Sequence, residues 1–401
     1  MRHLAWVFLT AIISTEIALA EPVIPAWVCL SRSLWNCPFC SAPSLTMAEQ
    51  LAQSDAVLLT KWVGGRPGTP NDSGTTELAV VEALKQPAGF TWKPEDKLTL
   101  VRHRAAKPGT LFLLMGTKNG TAIDWSSPLE VSQTAYAYFK QAPPPDKPTS
   151  DRLRYYVKFL EHPEEMIATD AYGEFANAPY GDIVPIAQDL PREKLRQLVA
   201  DPKTPAGRLG LYGLLLGLCG HEEDVAVLEQ RILQPAEEFR LGIDGVMGGY
   251  LLLAGEAGLS KLEQAKVIPR QVPFSETYAV MQAVRFMWQY GEGRIAPDRL
   301  RQSMRLFLDR PELADLVIAD LARMKDWSVI DRLRQMYGQQ EFDVPAIKRA
   351  IVRFYLACVK DGADHAESPS SPGHRAQNYL QELEKIDPKT VSDAKRFFFI
   401  K

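Results

Sequence analysis

An apolar helical pattern recurs about every 35 residues through the C-terminal half of the chain. Its starts lie 34, 36, 35 and 33 residues apart, near Ala206, Arg240, Glu276, Pro311 and Val344. A single helix pair of this length cannot bury its apolar face alone, so neighbouring pairs must stack. The recurrence therefore predicts an all-α solenoid.

Four segments carry the helical spacing most clearly. They are Gly207–Cys219, Tyr278–Tyr290, Leu313–Met324 and Ala346–Cys358. These segments resemble the helices of HEAT and armadillo repeats over roughly 200 residues, and the resemblance implies a HEAT-like solenoid with a long concave surface suited to binding another protein.

Four glycines interrupt this helical pattern, at Gly242, Gly245, Gly248 and Gly249. Each costs a helix up to about 1 kcal/mol relative to alanine. A phosphate-binding loop would place such glycines between a strand and a helix, and no strand pattern precedes them. We therefore expect them to allow the close approach of two helices.

The N-terminal region has a different period, that of short strands separated by turn residues. A helical turn over Thr46–Ala52 precedes four strand patterns, at Ala56–Val63, Glu77–Leu84, Lys97–Arg102 and Thr110–Met115. Four or five strands within about 80 residues predict a small all-β barrel.

The run Asp55-Ala56-Val57-Leu58-Leu59 resembles the opening strand of the netrin and metalloprotease-inhibitor (TIMP) family, whose fold is an oligomer-binding (OB)-type barrel. The resemblance covers about 100 residues and implies an OB-like fold for this region. Inhibition in that family needs a cysteine as the first mature residue. Here Cys29 lies eight residues beyond Glu21, and Cys37-Pro38-Phe39-Cys40 replaces the Cys-x-Cys opening. The resemblance therefore implies no inhibitory residue.

A proline-rich stretch separates the two regions. Residues 141–150 hold four prolines, which forbid a helix and favour an extended spacer. We therefore predict a multidomain chain, with a signal peptide at 1–20, a cysteine-containing β-barrel domain at 21–140, a linker at 141–150 and a helical-repeat domain at 151–401. This layout is similar to that of exported planctomycete proteins, a resemblance that implies no activity.

The first 20 residues have the pattern of a secretory signal peptide. A short basic start precedes an apolar run over 4–14, and Ala18-Leu19-Ala20 supplies the small-x-small cleavage pattern before Glu21. The apolar run is shorter than the roughly 20 residues that span a bilayer. We expect an exported protein, periplasmic or extracellular, with no membrane span after cleavage; an uncleaved anchor is the alternative.

Five cysteines follow the predicted cleavage point, and three of them, Cys29, Cys37 and Cys40, lie close together. In an exported chain paired thiols tend to oxidise, which favours a structural disulfide among these three. Thiol–disulfide exchange through Cys37 and Cys40, or metal binding, are the alternatives. Cys219 and Cys358 lie in apolar helical contexts and are predicted to be buried free thiols.

The chain carries none of the sequence motifs of nucleophilic hydrolases, zinc proteases, phosphate-binding loops or dinucleotide-binding folds. We therefore predict no catalytic, cofactor-binding or metal-ligating residue, no cofactor and no enzymatic activity. The chain has 46 Lys plus Arg against 49 Asp plus Glu. This balance lacks the basic excess that a nucleic-acid partner requires.

These observations favour an exported, non-catalytic scaffold that binds a partner protein on its helical repeats. The first alternative is the thiol–disulfide exchange protein. The second is a saccharide-binding barrel, because such barrels bind sugars through exposed aromatic side chains. Packing of the barrel core is the simpler role for the tryptophans concerned, which are Trp27, Trp35, Trp62, Trp92 and Trp125.

Overall fold

The structure is a computed structural model that describes residues 37–40, 45–235, 239–362, 368, 370–396 and 398. The predicted signal peptide at 1–20 and the predicted new N-terminus at Glu21 lie outside these residues. So do Cys29, Trp27 and Trp35.

The N-terminal region forms one antiparallel sheet. Its strands are β1 Ala56–Arg66, β2 Thr75–Lys85, β3 Lys97–Leu100, β4 Leu111–Asn119, β5 Ala122–Trp125 and β6 Leu129–Glu130. The strand order is β3-β2-β1-β4-β5, and β6 pairs with β4 beside this path. The four strand patterns expected from the sequence are confirmed in their positions.

The predicted OB-like barrel is wrong, because the sheet is open. A barrel needs hydrogen bonds between the strands at its two edges, and here β3 and β5 lie at opposite edges of the sheet. Each of these strands is only four residues long. The long strands β1, β2 and β4 lie side by side in the middle, and helices cover one of the sheet's faces.

Helix α1, Met47–Gln53, and helix α2, Gln133–Gln141, lie against that face. A capping box starts α1: the Thr46 hydroxyl accepts from the Glu49 amide at 3.3 Å, and Glu49 accepts from the Thr46 amide at 3.0 Å. The sheet side chains buried beneath these helices are Val57, Leu59, Leu113 and Met115. They join the core of the helical region.

The rest of the described chain is helical. Its first helices are α3 Thr149–Tyr156, α4 Glu165–Asn177, α5 Tyr180–Ile183, α6 Arg192–Ala200, α7 Ala206–Cys219, α8 Glu222–Leu233 and α9 Ile243–Leu262. Those that follow are α10 Phe274–Tyr290, α11 Pro297–Leu306, α12 Ala314–Arg323, α13 Ile330–Met336, α14 Pro345–Asp361, α15 Pro372–Ile386 and α16 Pro388–Arg396. The prediction of a helical C-terminal region is confirmed. No helix among the described residues is both long and apolar enough to cross a membrane.

Five helices begin about one repeat apart, and we call them the A helices: α7, α9, α10, α12 and α14. Helix α7 packs against α9, α9 against α10, and α12 against α14. Helix α9 is interrupted at Gly255, whose φ of 56° and ψ of −138° lie outside the helical region. Proline opens α11 and α14, where its missing N–H costs no hydrogen bond.

Glycines bring α7 and α9 into direct backbone contact. A Cβ placed on Gly249 would lie 1.9 Å from the carbonyl oxygen of Gly213, and one on Gly245 would lie 2.3 Å from that of Gly210. No side chain fits in so little space. The predicted close approach of two helices is thus confirmed at Gly245 and Gly249.

Ion pairs connect positions about one repeat apart. Arg240 pairs with Glu276, 36 residues later, and Arg299 with Glu263 at the same spacing. Arg285 on α10 pairs with Asp320 on α12 at a spacing of 35 residues. Positions about 36 residues apart therefore lie side by side along this part of the chain.

Candidate functional site

Of the three cysteines predicted to form a disulfide, the structure joins two. Cys37 and Cys40 form a disulfide, and Cys29 lies outside the described residues. The Cys37 amide donates to the Ala176 carbonyl at 3.2 Å, and the Cys40 amide to the Cys37 carbonyl at 3.3 Å. The two cysteines thus lie in a tight turn that a backbone hydrogen bond fixes to α4.

Phe39, one of the two residues between these cysteines, packs onto the A helices. Its ring centroid is 5.0 Å from that of Phe286 on α10. A Cβ on Gly248 would lie 2.6 Å from the Phe39 ring, and one on Gly210 would lie 2.9 Å from the Phe39 carbonyl oxygen. Gly248 therefore leaves room for Phe39, a role that the sequence did not indicate.

Cys219 and Cys358 are free, as predicted; Cys358 is buried and Cys219 is half-buried. Burial raises the pKa of both thiols to about 11. Because the thiolate is the reactive form, neither cysteine has the setting of a nucleophile near neutral pH.

Next to the disulfide turn, a groove of about 820 Å³ lies between α10 and α12. Pro38 and Phe39 form one end of it. Helix α10 contributes Gln282, Arg285, Phe286, Trp288, Gln289 and Tyr290. Helix α12 and the residue after it contribute Leu316, Ala319, Asp320, Arg323 and Met324.

Asp320 organises the charged side chains of this groove. Its Oδ2 atom lies 2.6 Å from the Arg285 guanidinium, and its Oδ1 atom lies 2.8 Å from Arg323 Nη1. Asp320 itself is only 4% exposed, whereas the Arg323 side chain is 73% exposed. One buried carboxylate therefore positions two guanidinium groups. Arg285 also donates from Nη1 to Gln282 Oε1 at 2.5 Å, so the exposed Arg323 is the guanidinium with donors available to a ligand.

Aromatic rings form much of the rest of the lining. Trp288 is half-buried, and the Arg301 guanidinium lies 5.2 Å from its ring centroid. The Tyr290 ring lies 4.9 Å from that of Tyr180 and 5.6 Å from that of Phe286, and burial raises its pKa. The groove thus combines flat apolar surfaces with hydrogen-bond donors, the composition typical of strong protein-binding positions.

Three of the five tryptophans considered for saccharide binding lie on the other face of the sheet, and Trp27 and Trp35 lie outside the described residues. Trp62, Trp92 and Trp125 pack over the small core formed by Leu58, Leu78, Val80, Leu100, Phe112 and Leu114. The Trp92 and Trp125 ring centroids are 5.5 Å apart, and the Trp62 indole donates to the Arg104 carbonyl at 3.0 Å. These contacts are those expected of core packing.

The sequence motifs did not indicate the groove between α10 and α12. Most of its residues lie on two helices, Pro38 and Phe39 lie in the disulfide turn, and no local pattern connects these segments. One signal was present in the series of positions 213, 249, 285 and 320, which are 35 or 36 residues apart. The first two positions are glycine, and the last two are Arg285 and Asp320. A repeat-by-repeat alignment of the A helices would have revealed this change.

Within the described part of the chain, no three His, Cys, Asp or Glu side chains are close enough together to hold a metal ion. Comparisons of the chain with protein-family models, with curated protein sequences and with solved structures find no match.

Proposed function

We propose that this protein is a non-catalytic interaction scaffold that binds a segment of another polypeptide in the groove between α10 and α12. The observation that carries the proposal is a difference between neighbouring A helices. Glycines 213 and 249 put α7 and α9 in backbone contact, whereas α10 and α12 are linked through the Arg285–Asp320 ion pair with a groove between them.

The side chains of the groove suit a polypeptide ligand. Tryptophan, tyrosine and arginine dominate the binding energy of protein interfaces, and Trp288, Tyr290 and Arg323 lie here together. The Nε2 group of Gln282 and the Oε1 atom of Gln289 can pair with a C=O and an N–H group of an extended backbone, while the other atoms of these amides bond to Arg285 and Tyr290. A volume of about 820 Å³ holds several side chains of such a segment.

The wider setting of the proposal is a HEAT-like helical array that acts outside the cytoplasm. The repeat spacing of the A helices and the ion pairs between successive repeats support the HEAT-like organisation. The signal-like pattern of residues 1–20 and the Cys37–Cys40 disulfide support export, because disulfides persist in oxidising compartments.

A selection with random peptides tests the proposal. The full chain is used to select binders from a phage-displayed library of random dodecapeptides, and the affinity of the selected peptides is measured by fluorescence anisotropy. The same peptides are then measured with Ala319→Trp, which fills the groove. Ala226→Trp, at an exposed alanine of α8 outside the groove, is the matched control.

We expect the selected peptides to bind Ala319→Trp at least tenfold more weakly than the wild type, and to bind Ala226→Trp with unchanged affinity. Equal binding to the wild type and to Ala319→Trp would place the peptides elsewhere and refute the proposal. A selection that enriches no peptide would refute it as well.

A further inference from the structure

We infer that the partner segment is acidic, because a second groove, between α12 and α14, forms a binding site for carboxylate groups. This inference rests on the proposed function and specifies the chemistry of its ligand. The second groove has a volume of about 700 Å³ and shares Ala319 and Arg323 with the first. A segment that leaves the first groove across α12 therefore enters the second.

Two arginine side chains of α14 have no polar partner among the described residues. Arg349 and Arg353 lie one helical turn apart, line the second groove and are half-buried. Among the described residues from 149 onward, the side chain of every other arginine has a hydrogen bond, an ion pair or another polar contact. The side chains of Arg349 and Arg353 have none. The Nε atom of Arg353 is buried as well as unpartnered.

The surroundings of these arginines strengthen the case for an anion. Arg323, on the opposite wall, adds a third guanidinium, and Asp315 is the one acidic side chain of the lining. Asp315 forms no ion pair with a described residue. Because Arg323 is already paired with Asp320, Arg349 and Arg353 carry the unpaired positive charge of the groove, against the one negative charge of Asp315. Like charges one turn apart on a helix repel each other. An anion bound between them removes that repulsion.

The shape of the groove favours carboxylates presented on an extended chain. Phe354 and Phe398 belong to its lining, and the rest of its walls between the arginines are small side chains, Ala319, Ala322, Ala346, Ala350 and Ala357. Such walls let a backbone lie close to α12 and α14. The planar guanidinium group donates two parallel hydrogen bonds that match the two oxygens of a carboxylate. A segment rich in Asp or Glu thus fits both the charge and the shape of the groove.

The test uses a defined acidic probe, a fluorescein-labelled random copolymer of glutamate and tyrosine, with the corresponding lysine–tyrosine copolymer as the basic counterpart. Anisotropy titrations compare the full chain with the double variant Arg349→Gln/Arg353→Gln. The double variant Lys93→Gln/Lys97→Gln removes the same charge from exposed positions of the sheet region and is the matched control. Arg349→Lys/Arg353→Lys keeps the charge and removes the planar donors. Circular dichroism confirms that each variant is folded.

We expect the acidic copolymer to bind the wild type, and to bind Arg349→Gln/Arg353→Gln at least tenfold more weakly. Arg349→Lys/Arg353→Lys should weaken binding severalfold, and the control Lys93→Gln/Lys97→Gln should leave it unchanged. Equal binding of both copolymers, or equal binding to the wild type and the Arg→Gln pair, would overturn the inference. Displacement of the acidic copolymer by inorganic phosphate at an equal concentration of anionic groups would make this a general anion site and overturn the carboxylate assignment.

The two proposals fail separately. If library peptides bind in the groove of α10 and α12 but the arginine variants bind every probe as the wild type does, only the acidic preference is wrong. If Ala319→Trp changes the binding of no selected peptide, the proposed function itself is wrong.

Discussion

The guanidinium of Arg285 on α10 lies 2.6 Å from the carboxylate of Asp320 on α12, and 35 residues separate the two along the chain. One and two repeats earlier, the corresponding positions are Gly249 and Gly213, whose backbones touch. At corresponding positions, α7 and α9 are thus in contact, whereas α10 and α12 lie on opposite sides of a groove. This local change in side-chain size creates the candidate binding surface.

Substitution of Asp320 by asparagine should destabilise the protein by about 3 kcal/mol, because it leaves two guanidinium groups without their buried carboxylate. Urea denaturation followed by circular dichroism measures this loss. Asp298→Asn removes a carboxylate that is 83% exposed and paired with Arg301, and it should cost less than about 1 kcal/mol. Equal losses in the two variants would show that Asp320 does not organise the groove.

The stability contributed by Glu276 should depend on pH. Burial disfavours its ionisation, but Arg240 at 2.8 Å and Lys266 at 2.9 Å outweigh burial and hold the pKa of Glu276 below its ordinary value of 4.5. A carboxyl whose pKa is lowered by folding stabilises the native state above its unfolded pKa, and this contribution is lost as the pH falls through the folded pKa. Glu276→Gln should therefore cost about 3 kcal/mol at pH 7 and much less below the folded pKa.

Unfolding free energies of the wild type and of Glu276→Gln, measured across the range from pH 7 to pH 3, test this sign. A difference that stays constant over the whole range would contradict the ion-pair account of Glu276. Glu312→Gln, at an exposed position whose carboxylate lies 3.8 Å from Arg310, is the control and should show little difference at any pH.

Gly248→Ala should loosen the disulfide turn. The added Cβ would lie 2.6 Å from the Phe39 ring, so either the ring or α9 must move. We expect dithiothreitol to reduce the Cys37–Cys40 disulfide faster in this variant than in the wild type. Gly207→Ala, at a helical glycine whose added Cβ meets no atom within 4 Å, should leave the reduction rate unchanged. If Gly248→Ala also left it unchanged, Phe39 would not anchor the turn.

The chain should not turn over as a thiol–disulfide oxidoreductase. Cys37 is 4% exposed, its amide is bonded to Ala176, and the pair lies in a turn rather than at the N-terminus of a helix, where a thiol's pKa is lowered. An insulin-reduction assay with the wild type and Cys37→Ser should give the same background rate for both. Rapid turnover by the wild type that disappears in Cys37→Ser would refute the scaffold proposal for this segment.

Local patterns were sufficient to predict the positions of most elements. The strand pattern over Ala56–Val63 located most of β1, and the helical recurrence near Val344 located the start of α14 at Pro345. These features depend on neighbours in sequence. Pairing of β3 with β5 does not depend on neighbours in sequence, because closure of a barrel depends on strand lengths and on what covers the sheet. For this reason the barrel prediction failed.

Local sequence patterns predicted even less of the candidate site. Arg285 and Asp320 each have the sequence context of an ordinary surface residue of an amphipathic helix, and their pairing follows only from the packing of α10 beside α12. The same holds for Gly248 and Phe39, which are more than 200 residues apart in the sequence. Contacts of this kind depend on how the repeats stack, which the helical period alone does not specify.

Amide hydrogen exchange of the full chain, with and without a library-selected peptide, tests the central claim most directly. If the peptide binds in the groove, protection should increase in residues 274–290 and 314–323, which form α10 and α12, and the increase should disappear in Ala319→Trp. Protection confined to the sheet, or to α8 and the other helices away from the groove, would contradict the claim that this groove is the binding surface.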